Sequence, residues 1–187
     1  TFNYDAISTN PIFTTVTATN NVFQVIDSTL GLPTSLAPAL TDGRIPFYTS
    51  INATIAPRYR INGFYNSTTT AIPIYLPGEI MLIKAEAMAR TNNLTGALAE
   101  LNKVITKTAT ADLFKVGAGL TASTASTSTE ILEEIYKNRC IELYMSGLKL
   151  EDMRRFGRPL TERKRNFFPY PFRERDGNPN TPSDPSF

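Results

Sequence analysis

The stretch PGEIMLIKAEAMARTNNLTGALAELNKVI, residues 77–105, decides the fold. After Pro77, Gly78 and Glu79, the residues Ile80, Ile83 and Ala87 recur at helical spacing, and Leu82, Ala85 and Ala89 broaden the apolar side until Thr91-Asn92-Asn93 ends the run. The spacing predicts a helix over about 79–91. Leu94, Leu98, Leu101 and Ile105 then repeat at intervals of four, three and four, which predicts a half-buried second helix to about residue 107. A tight turn therefore joins two antiparallel helices. Small residues at Ala85, Ala87, Gly96 and Ala97 suit a close crossing, as in one tetratricopeptide-like unit or in an ordinary helical hairpin. A single unit of that kind cannot bury both faces, so it needs neighbours.

Downstream, Gly117 to Thr129 is rich in Gly, Ala, Ser and Thr, the composition of a flexible surface loop. It ends in Thr127-Ser128-Thr129-Glu130, which fits a capping box, with Thr129 as an alternative cap. A third helix is expected from there to about Ser146, and a fourth over about Leu148 to Phe156, closed by Gly157 and Pro159. Glu151 and Arg155, four apart with the acid first, should pair on its surface. The tail from 159 is proline-rich and expected to be extended. It should dock on the helices, because Phe167, Phe168, Tyr170 and Phe172 would otherwise stay in water.

Upstream, the composition changes. Residues 1–78 carry only Asp5, Asp27, Asp42, Arg44, Arg58 and Arg60 as charges, amid Thr, Asn, Pro and aromatics that favour turns and short strands. Asn10-Pro11, Gly31-Leu32-Pro33, Asp42-Gly43 and Asn62-Gly63 punctuate the segment. Asn62-Gly63, between Tyr59-Arg60-Ile61 and Phe64-Tyr65, suits the type I′ turn of a small β-hairpin. The expected fold is mainly α: a tetratricopeptide-like hairpin plus two further helices, long irregular segments and that β-hairpin. It should form one domain, loop-rich over 1–77, with a helical core over 78–158 and a tail over 159–187.

Composition excludes several chemistries. With no histidine, Ser-His-Asp and Cys-His nucleophile systems and imidazole zinc sites are ruled out, and the lone Cys140 allows neither an internal disulfide nor a thiolate cluster. The expectation is no metal and no cofactor. Adjacent carboxylates at Glu133-Glu134 and Glu151-Asp152 point about 100° apart on a helix, so neither pair can flank one glycosidic bond. No glycine-rich phosphate loop precedes a helix. The basic, aromatic stretch from Asp152 to Arg175 fits a tail anchored by arginines better than a nucleic-acid surface, and a net charge of +2 adds nothing to the latter reading. Glu142, among Ile141, Leu143, Tyr144 and Met145, should be partly buried and paired with Arg139 or Arg155.

Four blocks in order resemble a known family: Leu82-Ile83-Lys84-Ala85-Glu86-Ala87; Ala97-Leu98 with Leu101-Asn102; Ile141-Glu142-Leu143 with Gly147, Lys149 and Asp152-Met153-Arg154-Arg155-Phe156-Gly157; and Phe168-Pro169-Tyr170-Pro171 with Asn178-Pro179. They are similar to the SusD/RagB family, outer-membrane glycan-binding lipoproteins of Bacteroidetes. Asn138, Ser146 and Lys149 depart from the usual Glu, Glu and Arg at these places. The resemblance implies the carboxy-terminal portion of a longer protein that captures nutrient polysaccharide at the cell surface, anchored by a lipid on a segment outside this chain. It implies no enzymatic activity. The expected partners are a glycan, a SusC-like TonB-dependent transporter and preceding helices of the same protein, with no nucleic acid. The rival reading is a tetratricopeptide-like protein-interaction scaffold without sugar binding. For a glycan, the candidate contacts are Tyr59, Arg60, Asn62, Phe64 and Tyr65, since aromatic faces stack on sugars while guanidinium and amide groups bond hydroxyls.

Overall fold

The computed structural model describes residues 1–17, 29–51, 59–163 and 169–183. The chain is mainly helical with a small two-stranded antiparallel sheet. It divides into two compact units, Thr1–Ser146 and Gly147–Phe187.

In the first unit, α1 (Pro11–Thr17) and α2 (Arg44–Tyr48) are short. Strands β1 (Thr49–Ile51) and β2 (Tyr59–Ile61) pair with Thr49 opposite Ile61 and Ile51 opposite Tyr59. The long helices follow: α3 (Pro77–Arg90), α4 (Leu94–Ile105) and α5 (Ser128–Glu142). Pro77 sits in the first turn of α3, where its missing N–H would have no helical partner in any case. Asn92 takes a positive φ of 62°, and the Asn93 side chain caps α4 by accepting from Gly96 N at 3.1 Å. The hairpin closes as expected, and α3 packs on both α4 and α5.

The buried stripe of α3 differs from the one read by spacing. Leu82, Ala85, Glu86 and Ala89 face inward, whereas Ile80 and Ile83 are 52% and 47% exposed and Ala87 is exposed. The helix has apolar residues on most of its circumference, so periodicity alone left two faces in competition. On α4 the inward set is Ala97, Leu101, Val104 and Ile105, with Leu94 and Leu98 only half-buried. Glu100 bridges the hairpin, accepting from Lys84 at 2.7 Å and Lys103 at 2.8 Å.

The capping box of α5 uses Thr127, whose hydroxyl accepts from Glu130 N while the Glu130 carboxylate accepts from Thr127 N. The helix stops at Glu142, short of Ser146, and Met145 takes a positive φ of 65°. The segment before α5 is no loose loop. Val116, Gly117 and Ala118 are buried, Gly119 N and Leu120 N donate to the carbonyls of Lys107 and Ile105, and Ala118 O accepts from Gly43 N at 2.9 Å. Its glycine content serves contact: a Cβ on Gly117 would lie 2.3 Å from the Ala109 nitrogen, and one on Gly43 2.6 Å from the Gly117 carbonyl.

Asn62-Gly63 does not turn a hairpin onto Phe64-Tyr65. Strand β2 pairs instead with β1, Asn62 N extends that ladder to Tyr48 O at 2.8 Å, and Gly63 opens a single 3-10 turn through Tyr65. Gly63 has a φ of 67°, and a Cβ there would meet the Phe47 ring at 2.9 Å, so the local signal was a glycine requirement of another kind.

The second unit holds α6 (Lys149–Arg155), α7 (Leu160–Arg163) and α8 (Phe172–Arg175). The Glu151–Arg155 pair does not form. Glu151 pairs with Arg154 and Asp152 with Arg155, each three apart, and Arg158 pairs with Glu162 at 2.7 Å. In the tail, Phe172 is 71% exposed rather than buried, while Phe167 and Phe168 lie outside the described residues.

Candidate functional site

Alternation along β2 sorts the expected contact residues. Ile61 is buried in a cluster with Val16 and Tyr65, against which Tyr59 and Phe64 pack, while Arg60 is exposed. Asn62 is half-buried. The side chains of Arg60 and Asn62 make no hydrogen bond or ion pair among the described residues.

The three aromatics are more deeply engaged. Phe64 stands edge-on to Phe47 at 5.2 Å between ring centroids, and lies 6.2 Å from both Tyr48 and Phe114. Tyr65 is buried and donates its hydroxyl to the Met145 carbonyl at 3.2 Å; burial, then the charge of Tyr4, pushes its pKa up. Tyr144, beside the same cluster, is pushed up to about 12 by burial and then by Tyr65. The structure therefore packs Tyr59, Phe64 and Tyr65 into one cluster, with Arg60 exposed and Asn62 half-buried beside it.

Asn10 fixes this turn from below and was legible in the sequence only as a turn residue. Wholly buried, it donates from its amide to the carbonyls of Phe64 and Thr70, both at 2.9 Å, and accepts from Ile12 N and Phe13 N at the start of α1.

A second polar constellation lies beneath α2. Arg44 is 1% exposed; it donates to Asp42 at 2.7 Å, to Glu142 at 3.2 Å and to the Asn138 amide oxygen at 2.9 Å. Glu142 is also buried, as expected, but its partners are Arg44 and Lys107, the latter at 2.7 Å, not Arg139 or Arg155. Lys107 further pairs with Asp112 at 2.7 Å, and Tyr48 donates its hydroxyl to the Glu142 carbonyl at 2.6 Å. Desolvation pulls the Arg44 pKa down, but hydrogen bonding to Asp42 and the charges of Asp42 and Glu142 outweigh it, so the guanidinium is held above its ordinary value. Tyr48 is pushed well up by burial and then by Glu142. Gly78 is part of the arrangement, since a Cβ there would collide with the Glu142 carboxylate at 2.0 Å. Asn138 gives Arg44 a neutral acceptor, which adds no further negative charge to the buried cluster. Every charge in it is engaged by another, which marks a structural lock rather than reactive groups. The signal available in the sequence was Asp42 and Arg44 standing two apart in a stretch almost empty of charge.

These features define a mainly helical protein with a small antiparallel sheet and a buried network of charges behind it. The SusD family model matches residues 54–184, and the chain belongs to the SusD family. That is a family of glycan-binding, generally non-catalytic proteins, typically at the cell surface. No curated protein matches the chain. Among the described residues no helix is long and apolar enough to cross a membrane.

Proposed function

We propose that this chain binds an oligo- or polysaccharide through the surface around β2 and hands it to a SusC-like TonB-dependent transporter of the outer membrane. In this reading Arg60 and Asn62 bond sugar hydroxyls, the partly exposed rings of Tyr59 and Phe64 supply the apolar contact, and Tyr65 holds the turn in place. The lipid anchor and the remaining helices of the family lie on chain outside these residues. The observation that carries the reading is family membership over 54–184, joined to two polar side chains on β2 and its turn that have no hydrogen bond or ion pair among the described residues.

Affinity electrophoresis against a panel of plant, host and microbial polysaccharides tests it. Arg60→Ala and Asn62→Ala should each weaken retention on the glycan bound by the parent, with the unfolding midpoint unchanged. Tyr65→Ala should lower the midpoint first. Undiminished retention by a folded double variant of Arg60 and Asn62 would move the site off β2.

The exposed Ile80 and Ile83 on α3 favour a second reading, a protein-interaction scaffold. A parent chain that binds no polysaccharide in the panel would favour that reading.

A further inference from the structure

Asn62-Gly63 is the only Asn-Gly pair in the chain, and the fold does not use it as the turn between paired strands. Instead it holds Asn62 in an uncommon backbone conformation, with φ −133° and ψ −146°. Tetrahedral geometry at an L-residue sets Cβ about −120° around the Cα–C bond from the backbone nitrogen, so that is the ψ at which the next nitrogen eclipses Cβ. At Asn62 the Gly63 nitrogen therefore stands within about 30° of eclipsing Cβ, whereas helical and strand values of ψ leave it roughly 80° and 105° away. The eclipsed arrangement is the one in which a five-membered ring can close through the Gly63 nitrogen, Asn62 Cγ, Cβ and Cα, and the Asn62 carbonyl carbon.

Among the described residues no bond opposes that closure. Gly63 N donates to no group, and the Asn62 carboxamide has no hydrogen bond or ion pair to hold its rotamer. The backbone on either side is fixed: Asn62 N donates to Tyr48 O at 2.8 Å, and Gly63, at a φ of 67°, lies against the Phe47 ring. Asn62 is half-buried, so water reaches it. Asn66, exposed and followed by the small Ser67, is the contrast. Its ψ of −6° sets the next nitrogen about 115° from eclipsing Cβ, and its side-chain oxygen accepts from Thr70 Oγ1 at 2.6 Å.

We propose that Asn62 is a self-modifying residue, which in the folded protein loses ammonia through a cyclic imide and becomes aspartate or isoaspartate. The Gly63 nitrogen gives up its proton and bonds Asn62 Cγ, the Cγ–Nδ2 bond breaks, and Nδ2 leaves as ammonia with that proton. Water then opens the ring. Addition at Cγ restores the main chain and leaves aspartate; addition at the former main-chain carbonyl leaves isoaspartate, with the chain running through Cβ and Cγ. Either product adds a negative charge at the end of β2, two residues from Arg60. Isoaspartate also lengthens the main chain by one carbon ahead of Phe64 and Tyr65. For a bound glycan, a group that donates and accepts becomes one that only accepts. That consequence rests on the glycan reading, and the conversion itself does not.

The test is ageing of the whole chain in mildly alkaline water enriched in heavy oxygen, followed by peptide mapping. Heavy-oxygen aspartate and isoaspartate should accumulate at position 62, faster as pH is raised, and no more slowly than in the chain unfolded in guanidinium. Asn66 should convert more slowly folded than unfolded. Asn62→Gln, which would need a larger ring, should stop the accompanying gain of negative charge in isoelectric focusing. The inference is overturned if folded Asn62 converts at less than about a tenth of its unfolded rate, if Asn66 converts first, or if folded Asn62→Gln gains charge as the parent does. Mapping of the parent keeps the test decisive should Asn62→Gln fail to fold. Conversion with unchanged glycan retention would support the inference and count against Asn62 as a sugar contact.

Discussion

The segment before α3 and the segment from α3 to α5 reach stability by different routes. In the helices, backbone groups satisfy one another, and tertiary packing buries Leu82, Ala85, Leu101, Val104, Ile131 and Ile135 on inward faces. The irregular first segment has little regular structure to pair its backbone, so buried polar side chains do it: Asn10 binds two distant carbonyls and two amides, and Asp42 with Arg44 ties its turn to the end of α5. A long irregular stretch can thus be as well anchored as a helix, but its stability rests on fewer residues.

If that contrast holds, the largest loss comes from the charged lock. Arg44→Met strands the buried Asp42 carboxylate and leaves Glu142 only one of its two cations, Lys107, and should cost about 3–5 kcal/mol in urea unfolding. A double-mutant cycle of Arg44→Met with Glu142→Gln should show strong coupling, whereas a cycle of Glu142→Gln with Arg155→Gln should show none. Additivity between Arg44 and Glu142 would break the comparison at its centre.

Asn10→Ala comes next. It leaves the Phe64 and Thr70 carbonyls without their donor, and a loss of about 2–3 kcal/mol is expected. Hydrogen exchange should rise first in the 62–70 turn.

The helical side answers more mildly to loss of a single polar group. Thr127→Ala removes the cap of α5 and should cost about 1 kcal/mol, read as a shift in the denaturation midpoint with unchanged slope.

Smaller again is the acid response at Glu100. Hydrogen bonds from Lys103 and then Lys84 lower its pKa from 4.5, so its stabilisation is present above the unfolded value and lost as pH falls through the lower folded one. Glu100→Gln should therefore narrow the difference in melting temperature between about pH 6 and pH 3. An unchanged difference would show that the bridge contributes nothing.

The smallest effect should be that of Ile83→Ser, on the exposed face of α3, within about 0.5 kcal/mol of the parent. A large loss would show that this face is covered in solution.

The sequence by itself determined the α3–α4 hairpin, the start of α5 and the family. Each rests on short-range information: apolar spacing, an Asn pair that ends one helix and caps the next, a capping box spanning Thr127 to Glu130, and ordered blocks of residues. It also marked a small sheet that includes Tyr59–Ile61. Tertiary structure decided what depends on partners far along the chain. Asn62-Gly63 is read locally as a hairpin turn, yet β1 lies on the other side of β2 and Phe47 occupies the space that a side chain at Gly63 would need. Ile80 and Ile83 lost the inward face of α3 to Leu82, Ala85, Glu86 and Ala89, because a helix apolar nearly all round is oriented by what packs on it. Glu142 was legible as buried from its apolar neighbours, but Arg44 stands 98 residues away, and a charge pairs with whichever opposite charge the fold brings within reach once water is excluded.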